Sequence, residues 1–178
     1  MNGGLDGLVG TREVASPAEM ETLGRSVGAV LGAGDLVVLT GPLGAGKTTL
    51  TRGIAAGLGV RGPVQSPTFV IARTHPSLVD GPPLVHVDAY RLGSALELDD
   101  LDIDLAGSVV VVEWGRGMVD ALAETWWEIE IDRDRGCSDG SAPDAVDDDE
   151  LDADEPRRVT ISRRPVPARP VHAITLDG

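Results

Sequence analysis

The chain has 178 residues, 42% of them hydrophobic but only 3% aromatic, which suits one domain with a core of aliphatic side chains. Its single cysteine, Cys137, excludes an internal disulfide and fits a reducing compartment. Residues 1–10 lack the basic and apolar regions of a signal peptide, and no stretch approaches the roughly 20 apolar residues of a membrane span. We therefore expect a cytoplasmic protein with no membrane contact.

The net charge of −14 is concentrated in one segment. Residues 132–155 carry 11 acidic and 2 basic side chains, net −9, which leaves −5 for the rest of the chain. This balance argues against direct electrostatic capture of nucleic acid by this chain. If RNA is involved, a partner protein would have to hold it.

The first predicted elements are a short strand at residues 11–14 and a helix. Ser16-Pro17-Ala18-Glu19 is a capping box with proline at the first helical position. The helix that follows is predicted to end near Gly32-Ala33-Gly34. Its apolar residues recur at helical spacing: Met20, Leu23, Val27, Val30 and Leu31.

The next unit is a phosphate-binding motif. Residues 41–48 fit the P-loop pattern G-x-x-x-x-G-K-[ST], between an apolar strand at 35–40 and a helix at 48–58. Lys47 is the only lysine beside fourteen arginines, at the position where a compact ammonium reaches between phosphates. The sequence therefore predicts a nucleoside triphosphate site, although a glycine-rich turn that matches by accident is the alternative. Its predicted nucleotide-binding residues are Gly41, Leu43, Gly44, Ala45, Gly46, Lys47, Thr48 and Thr49, with the Thr48 hydroxyl on Mg²⁺.

The remaining pattern predicts an α/β fold. Strands are expected at 69–73, 84–88 and 109–113, with a short helical or loop segment at 95–105. Residues 127–132 and 158–162 alternate apolar and polar side chains, as in half-exposed antiparallel strands. We predict a single P-loop NTPase-like domain over 1–178, with a mainly parallel sheet, antiparallel strands near the C-terminus, and flanking helices.

Two segments are predicted to lie outside the folded core. Residues 134–156 form an acidic stretch, rich in Gly, Ser and Pro, that is typical of a disordered insertion in a hairpin. A solvated loop without function is the simpler interpretation, and a metal-binding acidic cluster is the alternative. The proline-rich tail at 165–178 is expected to be loosely ordered.

Two carboxylates are the main catalytic candidates. Asp88 and Glu113 each fall near the C-terminal end of a predicted strand, the sheet edge that faces the ligand beside a P-loop. One is expected to act on Mg²⁺ and the other on the attacking water, but the residues alone leave open which does which. His86, two residues before Asp88 on the same strand face, either points to the site or is a structural histidine.

Weaker candidates surround these residues. Ser66 and Thr68 are candidates for a switch-like loop that senses the γ-phosphate, with ordinary turn chemistry as the alternative. Trp126 and Trp127 are interpreted as packing residues. Arg91 and Arg116 are candidates for phosphate or partner contact, although surface arginines are the simpler interpretation.

Four ordered segments carry a family resemblance: residues 41–49, Ser66-Pro67-Thr68-Phe69, residues 86–92 and Glu113-Trp114. Together they resemble the TsaE family (also called YjeE), small bacterial ATPases of tRNA threonylcarbamoyladenosine (t6A) biosynthesis. The likeness covers roughly residues 11–132 with matching order and spacing. The capped helix that begins after Ser16 also resembles the family's N-terminal segment, which lies near the adenine.

The resemblance implies a function and assigns roles. The family binds ATP and Mg²⁺ and works with the TsaB–TsaD pair, in which TsaD transfers threonylcarbamoyl to N6 of adenosine 37 in tRNAs. Carried over to this sequence, Lys47 contacts the β- and γ-phosphates, Thr48 and Glu113 bind Mg²⁺, and Asp88 lies at the hydrolytic centre, with Trp114 beside the nucleotide. The tRNA would be reached only indirectly, through the partners.

The sequence departs from the family at two positions beside the expected ligand. Position 42 is Pro where many members carry Asp, and Gly115 stands where proline is frequent. Two other functions are weighed: a small P-loop kinase, and a nucleotide-gated binding module with incidental hydrolysis. A kinase needs a basic lid, and residues 91–132 contain no segment long and basic enough to form one.

Overall fold

The computed structural model describes residues 5–65, 71–133 and 155–165, which form one seven-stranded mixed sheet with helices on both faces. Short 3₁₀ turns lie at Leu5–Leu8, Ala89–Arg91 and Val119–Ala121. The strands and helices in chain order are β1 Gly10–Val14, α1 Pro17–Gly28, β2 Leu36–Thr40, α2 Lys47–Leu58, β3 Ala72–His75, β4 Leu84–Asp88, α3 Ala95–Asp99, β5 Val109–Glu113, β6 Thr125–Arg133 and β7 Arg157–Pro165.

The sheet has a parallel centre and antiparallel edges. Its strand order is β1-β7-β6-β2-β5-β4-β3, and the neighbours β4, β5, β2 and β6 run parallel. The parallel central strands with their helices confirm the predicted α/β class, and the β6–β7 hairpin confirms the antiparallel strands near the C-terminus. The sequence did not predict that β3 pairs antiparallel with β4 at the other edge. The sheet is therefore parallel only in its central four strands.

The core has two halves because alternate residues of the central strands face opposite sides. Val37, Leu39, Val109 and Val111 pack with α1 and α2 on one face. The intervening residues of β2 and β5 pack with α3 and the segment around Val119 on the other face. The run at 109–113 is buried throughout, as predicted for a strand covered on both faces.

Helix α1 begins as predicted and ends early. The Ser16 hydroxyl accepts from the Glu19 amide at 3.3 Å, and the Glu19 carboxylate accepts from the Ala15 amide at 2.8 Å. The predicted end near Gly32 is wrong, because α1 ends at Gly28 and Val30 is 41% exposed. The Asp35 carboxylate accepts from the Gly32 amide at 2.8 Å, which closes a turn into β2.

Other predicted boundaries also shift. The strand predicted at 69–73 is found at Ala72–His75, where Thr74 and His75 pair with Val85 and Leu84. Residues 134–154 of the predicted insertion and 166–178 of the predicted tail lie outside the described residues. Across the described ranges, no helix combines the length and apolar character required to cross a membrane.

Candidate nucleotide-binding site

The candidate site lies at the C-terminal edge of the parallel strands. Asp88 and Glu113 are register partners at the ends of β4 and β5, and Glu113 is also opposite Leu39 of β2. The loop 41–46 leaves β2 directly beside them and leads into α2. The structure therefore brings both predicted carboxylates beside the loop 41–46, at the edge where an open α/β sheet binds its ligands.

Glycine backbone shapes the loop. Gly44 and Gly46 have φ of 70° and 102°, the left-handed region that L-residues with side chains avoid. Gly46 is the N-cap of α2 and brings no side chain to cap the helix, so the first amide groups of α2 face the loop. A helix N-terminus behind a glycine loop is a ready-made site for phosphate anions.

Lys47 is buried at the centre of this loop. Its ammonium donates to the carbonyls of Gly41 and Pro42, both at 2.8 Å, and lies 3.8 Å from the centre of the Trp114 ring. An ammonium has three N–H groups, so these two hydrogen bonds leave one for a ligand. Pro42 contributes its backbone carbonyl to the contact with Lys47.

Burial governs the charge of this lysine. Loss of solvation lowers the pKa of Lys47 from its ordinary value of 10.5, while the negative charges of Glu113 and, to a smaller extent, Asp88 oppose that shift. Removing either carboxylate would therefore make the ammonium harder to keep protonated. The charge of Lys47 therefore depends on both carboxylates.

Glu113 is the most constrained carboxylate of the site. It is 3% exposed, and its Oε1 lies 2.8 Å from Nε2 of His86 and 3.4 Å from the Thr48 hydroxyl, which donates to it. Thr48 lies in the first turn of α2 while His86 comes from β4, so Glu113 connects α2 with the sheet. Of the two interpretations of His86, the structure supports the one in which the ring points to the site.

Asp88 has a different environment. It is half-buried, and its Oδ1 accepts from the Tyr90 amide at 3.1 Å, which caps the 3₁₀ turn Ala89–Arg91. Its carboxylate is thus fixed at the end of β4 but is more open to solvent than that of Glu113. The two predicted carboxylates therefore differ in what they can bind.

Trp114 covers the lysine in a strained conformation. It has φ of 63°, in the left-handed region that is rare for a residue with a side chain, and its amide donates to the Leu39 carbonyl at 3.1 Å. Tyr90 packs against it with ring centroids 5.3 Å apart. Gly115 follows without room for a larger residue, since an added Cβ would lie 2.6 Å from the Val112 side chain. Strain of this kind is found at functional sites more often than elsewhere.

The residues present fit Mg²⁺ and a nucleotide. Oxygen donors suited to Mg²⁺ are present at Thr48, Glu113 and Asp88. In the part of the chain that is described, no group of three or more His, Cys, Asp or Glu side chains could hold a metal by itself. Mg²⁺ commonly binds one or two protein oxygens together with substrate phosphates and water, so such a partial set is what a nucleotide-dependent site requires.

The other predicted site residues are distributed around the loop. Thr49 is buried and, with Met20 and Gly46, lines a small surface depression beside α1. Leu43 is 73% exposed at the loop tip, and Ala45 is buried in the core. The hydroxyl of Ser16 is occupied by the α1 cap. Ser66 and Thr68 lie outside the described residues.

Arg116, a weaker candidate, is engaged in a charge cluster. Its guanidinium donates to Glu128 and to Glu130, and Glu128 also accepts from Arg164 at 2.8 Å. Desolvation acts against the charge of Arg116, but the hydrogen bonds that it donates to these glutamates outweigh this effect and raise the pKa of Arg116. Trp126 and Trp127 are buried on opposite faces of the sheet, which confirms their interpretation as packing residues.

Comparison with known proteins decides the family. The family model "Threonylcarbamoyl adenosine biosynthesis protein TsaE" matches residues 14–139. The chain belongs to the TsaE family. It is 58% identical over 146 residues to the TsaE protein of Streptomyces coelicolor, covering 80% of this chain and 89% of the relative. It is 38% identical to that of Bacillus subtilis, covering 66% of this chain and 74% of the relative.

A solved structure agrees with this assignment. The crystal structure of YdiB from Bacillus subtilis superposes with a TM-score of 0.60 at 31% identity, over 88% of this chain and 85% of YdiB. The TsaE relatives carry names that place them in t6A biosynthesis, which confirms the resemblance inferred from the four sequence segments.

Some of the site's contacts have no clear signal in the sequence. The pairing of His86 with Glu113 joins residues 27 positions apart, and the sequence left the direction of this ring open. The Lys47–Trp114 contact was also missed, although the family resemblance implied that Trp114 lies beside the nucleotide. Both contacts depend on strand register, which a single sequence does not determine.

Proposed function

We propose that this member of the TsaE family binds ATP with Mg²⁺ at the P-loop and hydrolyses it as a component of the t6A machinery. The observation that carries the proposal is the meeting of Lys47, Thr48, Glu113 and Asp88 at one sheet edge. Its expected partners are TsaB and TsaD, with tRNA reached only through them. A cytoplasmic location follows from this role.

Lys47 would bind the β- and γ-phosphates. Two of its three N–H groups are held by loop carbonyls, which fixes the ammonium and directs the third. Because the charge is fixed before the ligand arrives, little reorganisation is needed when negative charge develops on the phosphates. The glycine-shaped loop would add backbone amide donors.

The two carboxylates would divide the remaining work. Buried Glu113 accepts from Thr48, so it would orient that hydroxyl toward Mg²⁺ and share in holding the metal. Bound Mg²⁺ would supply charge neutralisation at the phosphates. The more open Asp88 would accept a hydrogen bond from the attacking water and hold it for in-line displacement. The different environments of the two side chains support this division, which the residues alone left open and which the family resemblance implies.

A variant of Lys47 tests the catalytic assignment. We expect Lys47→Ala to lower Mg²⁺-dependent ATP hydrolysis by about 10²–10³-fold, the usual effect of removing one fixed donor from developing charge. The matched control is Arg52→Ala, which removes an exposed cation from the same helix and should leave turnover unchanged. Released inorganic phosphate is the measured product. Turnover by Lys47→Ala close to that of wild type would contradict the P-loop assignment.

Two other functions remain to be distinguished by the same assay. A kinase would place the phosphate on an added acceptor instead of releasing it, and a nucleotide-gated binding module would bind ATP with almost no turnover. Neither has a specific observation in its favour among the described residues.

A further inference from the structure

His86 is a buried polar residue to which the proposed mechanism gives no role. It is fully buried on β4, on the sheet face that packs against α2, and its ring reaches diagonally to Glu113 at the end of β5. A buried imidazole without hydrogen bonds is costly, so its contacts are informative. In the described chain, its one hydrogen bond to a side chain is the 2.8 Å contact between Nε2 and Oε1 of Glu113.

The partners determine which nitrogen carries the proton. A carboxylate has only acceptors, so a hydrogen bond to Glu113 requires the proton on Nε2. Nδ1 is buried and has no hydrogen-bond partner in the described residues. A proton there would be an unsatisfied buried donor, which costs more than an unsatisfied acceptor. The geometry therefore favours the tautomer in which Nε2 donates to Glu113.

This contact uses the same oxygen that Thr48 uses. Oε1 accepts from both His86 and Thr48, so the carboxylate is held from the sheet side and from the α2 side at once. Hydrogen bonds from residues that do not touch the metal orient a metal-binding carboxylate, and their loss commonly changes metal affinity by about 10–100-fold. The charge of Lys47 depends on the same carboxylate, because Glu113 helps to keep the Lys47 ammonium protonated.

We propose that His86 is a positioning residue: its Nε2–H fixes the Glu113 carboxylate and thereby sets the Mg²⁺ response of the nucleotide site. The expected effect on Mg²⁺ binding rests on the proposed function. The His86–Glu113 contact is independent of that function. His86 touches neither nucleotide nor metal in this account and acts only through Glu113.

Three variants separate positioning from packing. His86→Gln keeps an amide N–H donor that can reach Glu113, whereas His86→Leu fills the space without a donor. His75→Leu is the control, because His75 is also buried but contacts the Arg61 carbonyl at the opposite end of the β3–β4 pair. Circular dichroism and thermal unfolding would establish that each variant is folded.

The first readout needs no nucleotide. Long-range ¹H–¹⁵N NMR of the imidazole rings, assigned with His86→Gln, should show the Nε2–H tautomer for His86 in wild type. The His86 signals should shift in Glu113→Gln. An Nδ1–H tautomer, or signals unaffected by Glu113→Gln, would overturn the proposal even if His86→Leu does not fold.

The second readout is binding of the non-hydrolysable analogue AMPPNP as Mg²⁺ is titrated, by calorimetry. His86→Leu should raise the Mg²⁺ concentration for half-maximal binding about tenfold or more, while AMPPNP affinity in EDTA stays unchanged. His86→Gln and His75→Leu should remain within about threefold of wild type. The proposal would be overturned if all variants needed the same Mg²⁺ concentration for half-maximal binding. It would also be overturned if His86→Gln raised that concentration as much as His86→Leu does. Failure of wild type to bind AMPPNP would instead overturn the proposed function, and the NMR result would still decide the contact.

Discussion

At the residue scale, the charge of Lys47 is central because two features of its surroundings act on its pKa in opposite directions. Burial lowers its pKa, while Glu113 and Asp88 work to keep the ammonium charged. Two loop carbonyls and the Trp114 ring surround the ammonium. The lysine is therefore preorganised in the loop but sensitive to anything that changes its neighbours.

The lowered pKa predicts when nucleotide binding is lost at alkaline pH. The charged ammonium is the form that binds phosphate, and a lowered pKa means that this form is lost at a lower pH than in an exposed lysine. As the pH is raised, AMPPNP affinity should therefore begin to fall before the pH reaches 10.5, the ordinary pKa of lysine. Calorimetry over a pH series would measure this.

The control for that titration is Tyr90→Phe, which removes the phenol hydroxyl and keeps the ring that packs against Trp114. If Lys47 is responsible, this variant should show the same alkaline fall as wild type. Affinity that stays constant through pH 10.5, or a fall that disappears in Tyr90→Phe, would contradict the assignment to Lys47.

At the element scale, α1 and α2 approach so closely that glycine is required along their contact. A Cβ on Gly24 would lie 2.4 Å from the Leu50 carbonyl oxygen, and one on Gly53 would lie 2.3 Å from that of Glu21. Gly28 and Gly57 are equally crowded by backbone. Since α2 follows directly from the P-loop, this contact also fixes the direction in which the loop presents its amides.

Gly53→Ala should therefore destabilise the protein. Alanine is favoured in a helix interior by about 1 kcal/mol over glycine, but forcing the helices apart costs about 1–3 kcal/mol or more. With backbone atoms on both sides, we expect the crowding to dominate and the free energy of unfolding to fall, as measured by urea denaturation. Gly32→Ala is the control, because a Cβ there meets nothing within 4 Å. Equal stability of the two variants would contradict the close contact.

Local patterns in the sequence predict some elements and not others. The capping box at Ser16 and the strand, loop and helix around Gly46 are encoded by adjacent residues, so they were predicted closely. The early end of α1 is followed by a turn in which the Asp35 carboxylate accepts from the Gly32 amide, and the position of β3 depends on its pairing with β4, such as that of His75 with Leu84. The approach of Asp88 and Glu113 was predictable because parallel strands end at the same edge, but the partner of His86 was not.

At the scale of the whole molecule, the hairpin β6–β7 lies between the edge strand β1 and the central strand β2. Its register runs from Thr125 opposite Pro165 to Arg133 opposite Arg157, so the two strands are adjacent where residues 134–154 connect them. A short turn could make the same connection. The interpretation of the acidic segment as an insertion without function stays a prediction.

Replacing residues 134–154 with a four-residue Gly-Ser loop tests that interpretation. Each doubling of loop length costs only about 0.6 kcal/mol, so the shortened protein should be equally stable or more stable by about 1 kcal/mol. Turnover and nucleotide affinity should not change. Urea denaturation and phosphate release provide the measurements, and a loss of either activity or fold would show that the segment has a role.

The most direct test of the central claim is ATP hydrolysis by the purified chain, alone and with the TsaB–TsaD pair. We predict slow hydrolysis alone and faster hydrolysis with the pair, since the described chain presents no arginine assigned to the transferring phosphate. Lys47→Ala should abolish the stimulated rate. Stimulation that vanishes in this variant is the predicted result. ATP binding with no change of rate on adding the pair would contradict the proposed place of this chain in the t6A machinery.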